Sequence, residues 1–338
     1  MPPEADDRFL KSAERWRPPP TEAANPASQG IDAKRTEEIL EVIHSEDRKA
    51  WEAVGRALPA IARVVDAIVT AFRSGGRLIY LGAGTSGRLG VLDASECLPT
   101  FGAGPERVSG IIAGGDAALR LPIEGAEDSP GAGAEALRRS GVRACDVVCG
   151  IAASGRTPFV WGALEEASLR DATTVLITCN SEWSAHPRAG LVDLAIEIPV
   201  GPEVIAGSTR MKAGTATKLV LNSLSTAAMI RWGKVYDNLM VDLTPTNEKL
   251  RGRAVGLVAR LASVPTVRAA QLLGTAGGEV KTAIVSEKLG VDPAQARAIL
   301  ARHGGQLRAA LEAGAGPALT PPEPEKPKNP LDSPPVAE

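Results

Sequence analysis

The chain has 338 residues, 44% apolar and 23% charged, with a formal net charge of -2, enough apolar material for one large or two modest cores. That charge gives no electrostatic footprint for nucleic acid or an anionic membrane, and 3% aromatics leave few rings to stack on bases, so neither partner is expected. From Met1 to Arg17 no apolar signal core occurs, and no stretch of about 20 apolar residues follows, so the expected location is cytoplasmic.

In chain order, Pro18, Pro19 and Pro20 close a tail expected to be mostly disordered over residues 1–30. Residues 37–72 carry helical periodicity through Ile39, Leu40, Ile43, Trp51, Val54, Leu58, Ile61, Val65 and Ile68, which predicts one or two helices ending at Ser74-Gly75-Gly76. Short β-rich runs follow at 77–83, 107–113, 146–153, 173–179 and 194–200, separated by helical segments. Near-continuous apolar strands in that alternation predict an α/β, doubly wound parallel sheet covered on both faces. Residues 211–235 predict one long core-facing helix, and 246–313 predict short helices. The expected division is an α/β domain with N-terminal helices over 31–262, a small all-helical C-terminal domain over 263–315, and a Pro-rich disordered tail over 316–338.

Cys97, Cys145, Cys149 and Cys179 sit in or beside aliphatic runs at spacings unlike zinc or redox motifs, so they read as reduced thiols. His44, His186 and His303 are scattered, so no metal is expected, and no cofactor.

Two strand ends share a signature suited to a phosphate. The first run leads into Gly82-Ala83-Gly84-Thr85-Ser86-Gly87-Arg88, and the third into Ala152-Ala153-Ser154-Gly155-Arg156-Thr157. Where a strand meets a helix N-terminus, free backbone N–H groups and the helix dipole attract an anion, hydroxyls add donors, and glycines let the backbone approach. The plainer reading makes the hydroxyls helix caps and the glycines turn residues. A third stretch, Gly207-Ser208-Thr209-Arg210-Met211-Lys212, opens the long helix and adds two cations, with Ser208 and Lys212 as candidate ligands. Gly82-x-Gly84-x-x-Gly87 also fits a dinucleotide fingerprint, but the acidic residue wanted about 20 positions on is replaced by Asp116 in a turn. Glu96, in Asp93-Ala94-Ser95-Glu96-Cys97, and Glu127, in Glu124-Gly125-Ala126-Glu127-Asp128, are by position alone ordinary surface or capping acids.

Five segments together, GRLIYLGAGTSGRLGVLDASEC, EGAEDS, DVVCGIAASGRTP, GSTRMKAGTATKLVLN and NLMVDLTPTNEKL, resemble the N-acetylmuramic acid 6-phosphate etherase family over about residues 21–313. The resemblance implies a sugar isomerase (SIS) fold and a homodimer with its sites near the subunit interface. It implies a carbon–oxygen lyase that turns N-acetylmuramic acid 6-phosphate into N-acetylglucosamine 6-phosphate and D-lactate. It also implies Glu96 as proton donor, Glu127 as the other catalytic carboxylate, and sugar-phosphate binding at Thr85, Ser86, Ser154 and Thr157, to which the loop pattern adds Gly84, Gly87, Gly155 and Arg156 as candidate ligands. Two departures are Asp116, where relatives often carry glutamate, and Cys97-Leu98-Pro99 in place of Cys-Pro-Pro. A non-catalytic sugar-phosphate regulator and an aldose/ketose isomerase remain open on the same scaffold, with a dinucleotide-dependent oxidoreductase more distant.

Overall fold

The computed structural model describes residues 19–314. Strands β1 (Leu78–Gly82), β2 (Val108–Ile112), β3 (Val147–Ile151), β4 (Thr173–Thr178) and β5 (Leu194–Glu197) form one parallel sheet ordered β2-β1-β3-β4-β5. Each lies inside a predicted run.

The continuous apolar character of the strands follows from burial on both faces. Leu78, Tyr80, Val147, Cys149, Val175 and Ile177 face a core shared with helices α1 (Thr36–Arg73), α2 (Gly84–Phe101) and α5 (Lys212–Arg231). Ile79, Leu81, Val148 and Leu176 face the other core, under α3 (Pro130–Arg139) and α4 (Pro158–Ser168). The 37–72 periodicity is one helix of 38 residues. Pro59 withholds one ladder donor from α1, yet the helix continues, because Val54, Ala57, Ile61 and Val64 are buried on either side of it.

Of the tail expected over residues 1–30, the part from Pro19 onward is ordered as 3-10 turns at Pro20–Glu22 and Pro26–Ser28, followed by Ile31–Ala33. Pro20 and Pro26 each open a turn, as residues with pre-set φ do, and Thr21 and Asn25 are buried. Asn25 Nδ2 donates to Glu46 Oε2 at 2.8 Å and to Pro202 O at 3.0 Å, fastening the segment to α1. Residues 1–18 and the expected tail at 316–338 lie outside the described residues.

Beyond α5 a small hairpin, β6 (Val235–Tyr236) with β7 (Leu239–Met240), leads into helices α6 (Glu248–Ala262), α7 (Thr266–Thr275), α8 (Val280–Leu289), α9 (Pro293–Arg302) and α10 (Leu307–Gly314). These share a separate core that begins at Val241 and Leu243 and takes in Leu250, Ala254, Leu257 and Val258 of α6. The helical module therefore starts near residue 241 and not at 263, because the buried face of α6 packs on α7 and α8 instead of the sheet. Much of NLMVDLTPTNEKL is the fastening: Asp242 pairs with Lys234 at 2.9 Å and Lys281 at 2.8 Å, and Asn247 caps α6 by accepting from Leu250 N.

Cys97, Cys149 and Cys179 are buried and Cys145 is half-buried; all four thiols are free. No helix among the described residues is long and apolar enough to cross a membrane.

Candidate active site

The strand order reverses between β1 and β3, the switch point beside which open α/β sheets bind ligands at their strands' carboxyl ends. Gly82 is level with Ile151 across the β1–β3 pair, so the two candidate phosphate loops leave the sheet side by side.

In the first loop the glycines serve the turn. A Cβ on Gly82 would meet Gly87 N at 2.8 Å, and one on Gly87 would meet Gly82 O at 2.6 Å, so strand and helix can approach this closely only without side chains. Gly84 takes a left-handed φ of +53° and faces open space. Ala83 is the N-cap of α2 and offers no side-chain bond, so Thr85 and Ser86 are not caps but hydroxyls in the first turn. Gly214 of α5 lies against Thr85, bringing the third polar stretch alongside the first loop.

Buried donors hold the second loop. Asn180 Nδ2 donates to Ser154 O at 2.9 Å, and the buried Trp161 donates from Nε1 to Gly155 O at 2.9 Å. Gly155 is left-handed at φ +68°. Ser154 Oγ accepts from Arg156 N at 3.2 Å, and Thr157 caps α4 by position only, without a side-chain bond. Gly155 and Arg156 line a cavity of about 230 Å³ with Trp183 and His186. His186 stacks on Trp161 with ring centroids 4.1 Å apart, and burial, with Arg188 and Arg156 nearby, lowers its pKa.

In the third stretch one expected ligand is corrected. Lys212 is fully buried, and its Nζ donates to Glu46 Oε2 at 2.5 Å and Pro202 O at 2.6 Å. Its ammonium is spent on α1, and Glu203 closes the helix end by accepting from Lys212 N and Ala213 N at 3.0 and 2.9 Å. Ser208 is half-buried in the loop ahead of Met211 and lines neither the Gly155–His186 cavity nor the one beside Glu127.

A second cavity, of about 190 Å³, lies at the ends of β1 and β2, lined by Gly84, Arg88, Glu124 and Glu127 among others. Partial burial raises the pKa of Glu127, and the neighbouring Asp128 and Glu124 raise it further. Its backbone is tied to the second loop's helix, where Phe159 N donates to Glu127 O at 2.9 Å. Glu96 is not there: it is exposed on α2. Twelve residues of helix separate it from Gly84, about 18 Å at 1.5 Å per residue. One chain thus brings together Glu127 and the first loop, with the second loop adjacent, and leaves Glu96 apart. Arg88 was missed by sequence reasoning; its place after the Gly-rich turn was the only signal, since nothing in the sequence tells that its side chain turns toward the Glu127 loop.

A family model described as the glucokinase regulatory protein N-terminal SIS domain matches residues 60–168. The N-acetylmuramic acid 6-phosphate etherase of Photorhabdus laumondii is 50% identical over 293 residues, 87% of this chain and 96% of that protein. Those of Mesorhizobium japonicum and Cutibacterium acnes are 52% and 50% identical, each over 86% of this chain and over 94% and 95% of their own lengths. Among solved structures, a phosphoheptose isomerase from Francisella tularensis has a TM-score of 0.43 at 20% identity, covering 57% of this chain and 97% of that one. With half of its residues shared along nearly the full length of such relatives, this chain belongs to the N-acetylmuramic acid 6-phosphate etherase family.

Proposed function

We propose that this protein is a carbon–oxygen lyase that removes D-lactate from N-acetylmuramic acid 6-phosphate, leaving N-acetylglucosamine 6-phosphate, in cytoplasmic recycling of cell-wall sugar. The observation that carries the reading is Glu127, a carboxylate of raised pKa in a cavity at the carboxyl ends of β1 and β2, beside a helix N-terminus suited to an anionic sugar.

The lactyl ether at C3 breaks by elimination. With the ring open, the C1 aldehyde acidifies the C2 proton, and Glu127 removes it. The electron pair forms the C2–C3 double bond as the C3–O bond breaks, and Glu96 hands a proton to the departing lactate oxygen. Water then adds at C3 of the unsaturated aldehyde, and a proton returns to C2. Ser154, Thr157, Thr85 and Ser86, with the backbone N–H groups around Gly155, hold the 6-phosphate end.

Because Glu96 lies outside the Glu127 cavity of its own chain, the reading includes a homodimer in which the partner subunit's Glu96 completes each site. Exposed apolar surface supports it. Leu92, one turn before Glu96 on the same side of α2, is 45% exposed, and Leu40, Trp51 and Leu58 share one stripe of α1.

The test is D-lactate release from N-acetylmuramic acid 6-phosphate by the purified protein, beside folded Glu96→Gln and Glu127→Gln variants. Wild-type release with losses of about 10²–10⁴-fold in both variants is the expected outcome. Binding without lactate release would make the protein a sugar-phosphate regulator. Aldose–ketose interconversion without release would make it an isomerase.

A further inference from the structure

Resting on that reading, we propose that Arg88 recognises the lactyl carboxylate of the substrate and so distinguishes it from the lactate-free product. Arg88 shares the cavity of Glu127, and its Nε is fixed by donating to Leu119 O at 3.2 Å. A guanidinium anchored through Nε presents its two terminal nitrogens as a planar fork, which matches a carboxylate with two parallel hydrogen bonds. Among the described residues neither Glu124 nor Glu127 forms an ion pair with it, although both line the same cavity.

The connectivity of the substrate fixes which of its anions comes here. It carries a phosphate on C6 and a carboxylate on the lactyl group at C3. Glu127 acts at C2, one bond from C3, so the group that enters the cavity with C2 is the lactyl arm, while C6 lies at the far end of the sugar. A volume of about 190 Å³ is smaller than the roughly 300–1,000 Å³ of a whole small-molecule site, so the cavity holds one end of the ligand. The remainder runs along the sheet edge toward the Ser154–Thr157 loop, one strand over. Electrostatics makes a cation necessary: Glu124, Glu127 and Asp128 sit together on the loop and oppose an incoming carboxylate, and Arg88 is the cation in that cavity's lining. Once lactate has left, nothing on the sugar engages the fork, which favours release of the product.

The experiment compares wild type with Arg88→Gln and Arg88→Lys. Kinetics of D-lactate release are measured together with calorimetric binding of N-acetylglucosamine 6-phosphate and of the substrate's lactyl methyl ester. Arg88→Gln should raise KM for the substrate about tenfold or more, while affinity for N-acetylglucosamine 6-phosphate stays within about twofold. Lysine should restore part of the loss, and wild type should bind the ester at least about tenfold more weakly than the acid, a preference lost in Arg88→Gln. An equal fall in affinity for the lactate-free sugar phosphate would mean that Arg88 holds the phosphate, overturning the proposal. Equal wild-type binding of acid and ester would overturn it too, even if the variants fail to fold. If wild type releases no lactate, the lyase reading fails, and the acid–ester comparison by calorimetry still decides Arg88 separately.

Discussion

With Glu127 as the proposed base, its burial and neighbouring charges give a pH dependence to test. Its carboxyl titrates above the ordinary range through partial burial and the charges of Asp128 and Glu124. A base acts when ionised, so activity should rise with pH through that raised value. Glu124→Gln removes a like charge, which lowers the pKa, and the acid limb of kcat/KM should move to lower pH. An unmoved limb would show that Glu127 is not the base. Lys212 gives a contrasting case. Burial alone would raise the Glu46 carboxyl, but hydrogen bonds from Lys212, Lys49 and Asn25 bring it down to about 2. A depressed carboxylate contributes stability that is present above its ordinary value of 4.5 and lost as pH falls toward 2. Lys212→Met strands a buried charge, and denaturant melts at neutral pH should show a loss of about 3–5 kcal/mol. A stable variant with only a raised KM would return Lys212 to the phosphate.

At the scale of elements, Glu127 and the candidate phosphate loop are joined through a glycine seam between α3 and α4. A Cβ on Gly133 would meet Phe159 O at 1.9 Å, and one on Gly162 would meet Pro130 O at 1.9 Å, so the two helices touch backbone to backbone. Gly162→Ala should cost about 1–3 kcal/mol in denaturant stability, and, by pushing Phe159 away from Glu127 O, lower kcat more than it changes KM. The strands around this seam were legible in sequence because burial on both faces writes an uninterrupted apolar run. The limits of the helical module were not. Leu250, Leu257 and Val258 are apolar whichever core they enter, and only packing assigns them to the second. Nor was the fate of Lys212 legible: its partner Glu46 is 166 residues away, so a helix-opening lysine reads like a phosphate ligand. The hydroxyl loops stood out because strand, glycines and helix start are contiguous, whereas the Arg88–Glu127 cavity joins segments on either side of β2.

For the whole molecule, the separation of Glu96 from the Glu127 cavity makes subunit exchange informative. If each site takes Glu127 from one chain and the partner subunit's Glu96, Glu96→Gln and Glu127→Gln homodimers are both inactive. Dissociated together and reassembled, half the dimers are mixed, and each mixed dimer has one intact site. Lactate release should then recover to about a quarter of wild type. A mixture as inactive as its parents would place both glutamates in one chain. The thiols offer a further use. Burial pushes Cys97 and Cys179 up to about 12 and Cys149 higher still, so these three have almost no thiolate at neutral pH. Cys145, half-buried just ahead of β3, sits at the amino end of the sheet, opposite the candidate ligand loops. The chain therefore carries its own attachment point for a fluorophore or spin label, and the proposed pairing can be tested by energy transfer between labels on Cys145 with the candidate site residues unmodified.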